Sequence, residues 1–278
     1  MKKAEVGKQI ASTVYRVYHA AQKLWWQVSG GRREKVFEEH LRFSPSSQFP
    51  AYRGLRLPSR DIFSTVVRYG DYVQIQSAYL HLKELSHPPV VVDIGAHHGI
   101  YAVILGKLVQ RMKGKLIAVE PSPIAFSVLT KNVRLNGLEG TVSCERLAIM
   151  EHAATVHGAE GGDQSRIGNV ADADTFTVEA MTLSSLLDNH GITAVDLLII
   201  DVEGAELNVL QGIDWERHRF GRIFCEFHPY NWKHFEYSGS DVSAFLTHRG
   251  YRCFDMYLRE HKEFTGNAYI GPTIFVPK

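Results

Sequence analysis

From His87-Pro88-Pro89 onward, short apolar runs alternate with stretches whose apolar residues recur at three- and four-residue steps. The runs Val90 to Asp93, Leu116 to Glu120, Val142 to Ala148, Val195 to Asp201 and Ile223 to Phe227 have the length of buried strands. Between them, Ile124, Phe126, Leu129 and Val133 predict a helix stopped by Asn136-Gly137. Leu207, Leu210 and Ile213 predict another after Gly204. Tyr251 to Phe254 and Thr273 to Val276 predict a closing hairpin at the sheet edge. Strands alternating with helices predict a doubly wound α/β fold, a mostly parallel sheet covered on both faces.

The first 43 residues follow a different pattern. Val6, Ile10, Val14, Val17, Ala21, Leu24 and Val28 lie on one stripe of a long helix that ends near Gly30-Gly31. Up to Arg33 this segment carries Lys2, Lys3, Lys8, Arg16, Lys23, Arg32 and Arg33 against Glu5 alone. Such a helix packs its stripe on the main domain or on a second subunit, or else lies on an anionic membrane face with Trp25 and Trp26 at the interface. Ser44-Pro45-Ser46-Ser47 reads as a linker, and a mixed segment follows to about residue 88. The expected division is an N-terminal helical extension over 1–48 and the α/β domain over 49–278.

Composition narrows the class. Lys plus Arg total 31 against 30 for Asp plus Glu, so the net charge of +1 supplies no global pull towards nucleic acid. Cys144, Cys225 and Cys253 are odd in number and lack Cys-x-x-Cys spacing, which argues against a disulfide framework and against a cysteine zinc site. With no run of about 18 apolar residues and no secretory leader, a soluble cytoplasmic protein is expected.

In open α/β sheets the ligand sits beyond the carboxyl ends of the strands, where strand order reverses. After the first run comes Asp93-Ile94-Gly95-Ala96-His97-His98-Gly99. Gly95 and Gly99 allow a sharp turn and the close approach of a ligand. The spacing is Gly-x-x-x-Gly rather than the Gly-x-Gly-x-x-Gly of dinucleotide enzymes, which cradles a pyrophosphate. A methionine tail instead brings an ammonium that needs an acceptor, and Asp93 is placed to supply it. Glu120, before Pro121, can accept both hydrogens of a ribose diol. Ala148, after the third run, stands where an adenine would need an apolar wall. These features point to S-adenosylmethionine (SAM), with Asp93, Gly95, Ala96, His97, Gly99, Glu120, Pro121, Ala148 and Asp201 around it.

Two further strand ends carry acids: Asp201-Val202-Glu203-Gly204-Ala205-Glu206 and Glu226-Phe227-His228-Pro229. Methyl transfer to oxygen needs an aligned hydroxyl and a group that takes its proton. His228 is the expected base, because imidazole titrates near neutral pH. Asp201 or Glu226 would orient it or hold substrate hydroxyls, and a divalent cation, if one is used, would sit on Asp201, Glu226 and His228. Each residue also has a purely structural reading: Asp201 as a helix cap, Glu203 and Glu206 as solvated first-turn acids, His228 as a polar strand end. The polar stretch Gly158 to Asp174 reads as a lid, a substrate loop or a plain surface loop.

Val91 to Gly99, Ala118 to Pro123, Asn132 to Gly137 and above all Val195 to Glu206, with Val209-Leu210-Gln211-Gly212 after it, resemble the FkbM family of SAM-dependent methyltransferases over roughly residues 60 to 230. The resemblance implies a seven-stranded methyltransferase fold and O-methylation of a sugar, a polyketide or a similar small-molecule acceptor. It also implies SAM contacts at Asp93, Gly95 and Glu120 and places Asp201 at the methyl end. Ile199 stands where the family often has lysine, and His97 where asparagine is common. Two other functions compete: a non-catalytic SAM-binding scaffold docking through the basic helix, and an NAD-dependent oxidoreductase, which would need the missing phosphate cradle.

Overall fold

The computed structural model describes residues 69–159, 166–167, 175–232, 235–255, 260–261 and 272–278, with 41–42 and 56–57. The N-terminal amphipathic helix and the linker lie outside the described residues. Strands β1 (Leu41–Arg42) and β2 (Arg56–Leu57) pair antiparallel across the boundary drawn at 48.

Helix α1 (Tyr69–Lys83) precedes the alternating region. Sequence reading left this stretch as a mixed segment, although Ile75, Ala78, Tyr79 and Leu82 have helical spacing and are buried. Then follow β3 (Val90–Ile94), α2 (Ile100–Arg111), β4 (Lys115–Val119), α3 (Pro123–Leu135) and β5 (Val142–Glu145). Ser122 caps α3 by accepting the Ala125 amide at 3.0 Å, and Gly137 ends it at φ +62°. Strands β6 (Ala148–Ile149), β7 (Ala154–Ala159), β8 (Arg166–Ile167) and β9 (Thr175–Met181) lead to α4 (Leu183–Asn189) and β10 (Ala194–Ile200). The chain closes with α5 (Glu206–Gln211), β11 (Arg219–Glu226), α6 (Pro229–Trp232), α7 (Gly239–Thr247), β12 (Tyr251–Asp255), β13 (Glu260–His261) and β14 (Pro272–Pro277).

The main sheet has eight strands in the order β13-β12-β14-β11-β10-β3-β4-β5. The five from β11 to β5 are parallel, while β14, β12 and β13 run antiparallel. The α/β expectation holds, but the sheet is mixed and eight-stranded rather than a mostly parallel sheet of seven. The closing hairpin forms by direct pairing of β12 with β14; β14 inserts against β11, and β13 is the outer edge.

The third apolar run does not form one strand. It breaks after Glu145, and Ala148 pairs with Ala180 in a separate four-stranded sheet of order β6-β9-β7-β8. The stretch from Gly158 to Asp174 is likewise divided. Gly158 and Ala159 belong to β7 and Arg166–Ile167 to β8, while 160–165 and 168–174 lie outside the described residues.

Parallel strands buried on both faces explain the near-continuous apolar runs of β3, β4 and β10. At their entry ends, Asp196 Oδ2 accepts the Val90 amide at 2.8 Å, and its Oδ1 lies 2.8 Å from His87 Nε2, fastening β10 to β3. No helix among the described residues is long and apolar enough to cross a membrane.

Candidate active site

Strands β3, β4 and β5 step to one side and β10 and β11 to the other, so strand order reverses between β3 and β10. Register then decides which side chains meet. Ile94 lies opposite both Val119 and Ile200, and Ile200 lies opposite Cys225. One step further along each strand brings Glu120, Gly95, Asp201 and Glu226 into a row across four strand tips. The Asp201 amide donates to the Ile94 carbonyl at 2.9 Å, and the amides of Gly95 and Ala96 both donate to the Val119 carbonyl at 2.9 Å.

The turn after β3 takes its shape from its glycines. Gly95 has φ +84° and Gly99 φ +85°. A Cβ at 95 would fall 1.7 Å from the Asp201 carbonyl oxygen, and one at 99 would fall 2.5 Å from Leu129 Cδ1. Packing of chain on chain therefore demands these glycines, where the sequence suggested room for a ligand. His97 lies at φ +47°, a region that histidine and asparagine enter more readily than most residues.

The crevice beyond the turn is lined by Gly95, Ala96, His97 and His98, by Ile100 and Tyr101 of α2, by Gln74 and Ile75 of α1, and by Asp201 and Glu226. Gly95, Ala96, His97, Asp201 and Glu226 are thus brought together as expected. Gln74 and Ile75 were not candidates for want of a helix assignment over 69–83, and His98, Ile100 and Tyr101 join the wall from the turn and the first residues of α2.

Asp93, Gly99, Glu120, Pro121, Ala148 and His228 are not among the lining residues. Ala148 lies in the second sheet, buried with Val178 and Ala180, and does not wall the crevice. Glu120 is buried and acts as a bracket: Oε2 accepts the His97 amide and Oε1 the Ser122 amide, both at 2.8 Å. Asp93 is 1% exposed, and its Oδ2 has no hydrogen-bond partner among the described residues. Burial, assisted by the Glu120 charge, pushes its carboxyl up to about 7.

At the far end of the row, Glu206 is fully buried rather than solvated. Its carboxylate accepts the Gly204 amide at 3.1 Å, His228 Nδ1 at 2.7 Å, Trp232 Nε1 at 2.8 Å and the Tyr237 hydroxyl at 3.3 Å. A signal for this burial exists in the sequence. Glu206 precedes Val209, Leu210 and Ile213 by three, four and seven residues and so shares their inward face.

His228 Nε2 lies 3.5 Å from Asp201 Oδ1 and 3.7 Å from Glu203 Oε1. Burial alone would lower its pKa, but the hydrogen bond to Glu206 and the charges of Asp201, Glu203 and Glu206 raise it to about 10. That shift favours the protonated ring, the form in which Nε2 carries a proton rather than accepting one. Asp201 is raised above the ordinary carboxylate range, by burial first and then by Glu226, with His228 opposing. Among the described residues, donor atoms that converge closely enough for a cation belong to Asp201, Glu203 and His228, within 4.8 Å of one another; Glu203 joins two of the three residues expected, and Glu226 is not in the set.

Glycines packed at a switch point, with acids at neighbouring strand tips, define a doubly wound α/β protein with a crevice beyond its central strands. Residues 93–253, more than half of the chain, match the methyltransferase FkbM domain. The chain belongs to that family.

It is 28% identical to methyltransferase sdnD of Sordaria araneosa, over 49% of this chain and 64% of that protein. It is 25% identical to the hexuronic acid methyltransferase AglP of Haloferax volcanii, over 54% of this chain and 60% of that one. The chain spans about six tenths of the length of the curated relatives it matches. The crystal structure of methyltransferase FkbM from Methylobacillus flagellatus KT aligns over 90% of this chain and 60% of that one, at 13% identity and a TM-score of 0.43.

Proposed function

We propose that the chain is a SAM-dependent methyltransferase that methylates a hydroxyl oxygen of a small metabolite, in the class of sugars and polyketides. Family membership supports the reaction. The observation that carries the cofactor is Asp93: a buried carboxylate oxygen without a hydrogen-bond partner among the described residues, beside a glycine turn at the switch point.

The residues fit the cofactor. An unpartnered carboxylate oxygen suits an ammonium, and Asp93 would hold the amino group of the methionine tail. Glu120, which accepts the His97 and Ser122 amides at the tip of the neighbouring strand, would bind the ribose diol. Gly95, Ala96 and His97 bring backbone close to the ligand. Bound SAM supplies an electrophilic methyl group on a sulfonium. Asp201 and Glu226 line the crevice from the neighbouring strand tips and would orient the acceptor hydroxyl and take its proton. Glu206 holds the His228 ring in place beside Asp201. Three free cysteines support a reducing, cytoplasmic setting.

The test is calorimetry with S-adenosylhomocysteine, followed by mass spectrometry of metabolites that gain a labelled methyl group in an extract. Saturable binding that falls at least tenfold in Asp93→Asn is expected. A folded wild-type protein that fails to bind S-adenosylhomocysteine sinks the reading.

A further inference from the structure

We infer that Asp201, Glu203 and His228 form a binding site for one divalent transition-metal ion at the edge of the crevice. Its place in the reaction rests on the methyl-transfer reading above; its existence does not.

Spacing is the first reason. His228 Nε2 stands 3.5 Å from Asp201 Oδ1 and 3.7 Å from Glu203 Oε1. These separations exceed ordinary hydrogen-bonding length. They are the separations of two ligands on one ion: bonds of about 2.1 Å, opened to an angle somewhat wider than tetrahedral, place their outer atoms roughly 3.5 Å apart. All three donor atoms lie within 4.8 Å of one another, so a single ion reaches each with small side-chain adjustments.

Orientation is the second. A metal-binding imidazole characteristically gives its other N–H to a carboxylate, which fixes the ring and raises the basicity of the ligating nitrogen. Glu206, outside the ligand set and fully buried, accepts from His228 Nδ1 at 2.7 Å. That bond leaves Nε2 as the nitrogen turned to Asp201 and Glu203. Trp232 and Tyr237 hydrogen-bond to the other oxygen of Glu206 and hold it in place.

Placement is the third. Asp201 lines the crevice with 38% of its side-chain surface exposed, whereas His228 is 4% exposed and Glu203 15%. An ion there is enclosed by protein on the His228 side and open to a ligand on the Asp201 side, as a site needs to be if a substrate oxygen is to complete the coordination. The proton on Nε2 and the ion compete for one position. Two carboxylates that attract a single charge attract a double charge more strongly, and loading releases the Nε2 proton to solvent. One imidazole with two carboxylates favours Zn²⁺ or Mn²⁺ over Mg²⁺. Bound beside a substrate hydroxyl, such an ion lowers its pKa, and the proton passes to Glu226 across the crevice.

The full chain, stripped with a chelator, is titrated with Mn²⁺ followed by electron paramagnetic resonance and with Zn²⁺ followed by calorimetry. One ion per chain is expected, weakened at least tenfold in Glu203→Gln and in Glu203→Ala, and changed less than about threefold in Glu226→Gln; circular dichroism verifies the fold of each variant. Absence of saturable binding in the wild type overturns the inference, and so does binding that survives both Glu203 substitutions. S-adenosylhomocysteine binding is measured on the same samples. Ion binding without it sinks the methyl-transfer reading and leaves the site standing, and the reverse result does the opposite.

Discussion

A Cβ placed on Gly95 would lie 1.7 Å from the carbonyl oxygen of Asp201, so the tips of the two central strands touch through a position that admits no side chain. Gly95→Ala must also hold φ near +84°. The substitution is expected to destabilise the protein by about 3 kcal/mol or more, combining overpacking with left-handed strain. Urea denaturation measures this, and a midpoint shift within error would show that the seam can open.

Asp93 trades stability for binding. Its folded pKa of about 7 lies above its ordinary value of 3.8. Between those values the unfolded chain is ionised while the folded chain holds a proton, so stability falls as pH rises through the window. The full cost, up to about 4 kcal/mol, is reached above pH 7. Asp93→Asn is therefore expected to melt higher than the wild type at pH 8 and nearly equal to it at pH 4, while losing affinity for S-adenosylhomocysteine. A melting temperature that is lower at both pH values would contradict the account.

Glu206 anchors four donors from inside the core. Glu206→Ala removes the acceptor for Gly204, His228 and Trp232, leaves Tyr237 the Gly204 carbonyl, and is expected to cost about 3 to 5 kcal/mol, in the range seen when one partner of a buried charged network is deleted. Glu206→Gln should cost less, since one oxygen remains. Equal losses for the two variants in chemical denaturation would mean that volume, not hydrogen bonding, decides the site.

Glu120→Ala leaves the His97 and Ser122 amides without their acceptor, at roughly 1 to 3 kcal/mol each if they stay buried. Loss of stability should accompany a weakened grip on S-adenosylhomocysteine. If affinity falls while the denaturation midpoint stays fixed, the carboxylate serves the ligand alone and the bracket is incidental.

What could be read in the sequence follows from which residues obey a period. The runs at β3, β4 and β10 stood out because strands buried on both faces carry few polar residues, and the acids at or near their ends, Asp93, Glu120 and Asp201, with Glu226 at the end of β11, could be picked out by position. Ala148 was misplaced because the apolar character of the third run continues past Glu145, where the chain turns into another sheet; periodicity cannot report a change of partner. His228 was given the chemistry of a solvated imidazole, since nothing in the local sequence states that Glu206 would be folded beneath it. Glu203 was passed over in favour of Glu226 for a related reason: alternation along a strand ranks Glu226 with His228, whereas only the turn after Asp201 brings Glu203 back to the ring.

Asp196 locks β3 to β10 at one end of their contact, and the Asp201 amide locks them at the other. A seam fastened at both ends cannot widen to admit a bulkier guest. Variation in what the crevice accommodates is therefore expected at the residues that ring its opening, such as Gln74, Ile75 and Tyr101, rather than at the strand tips.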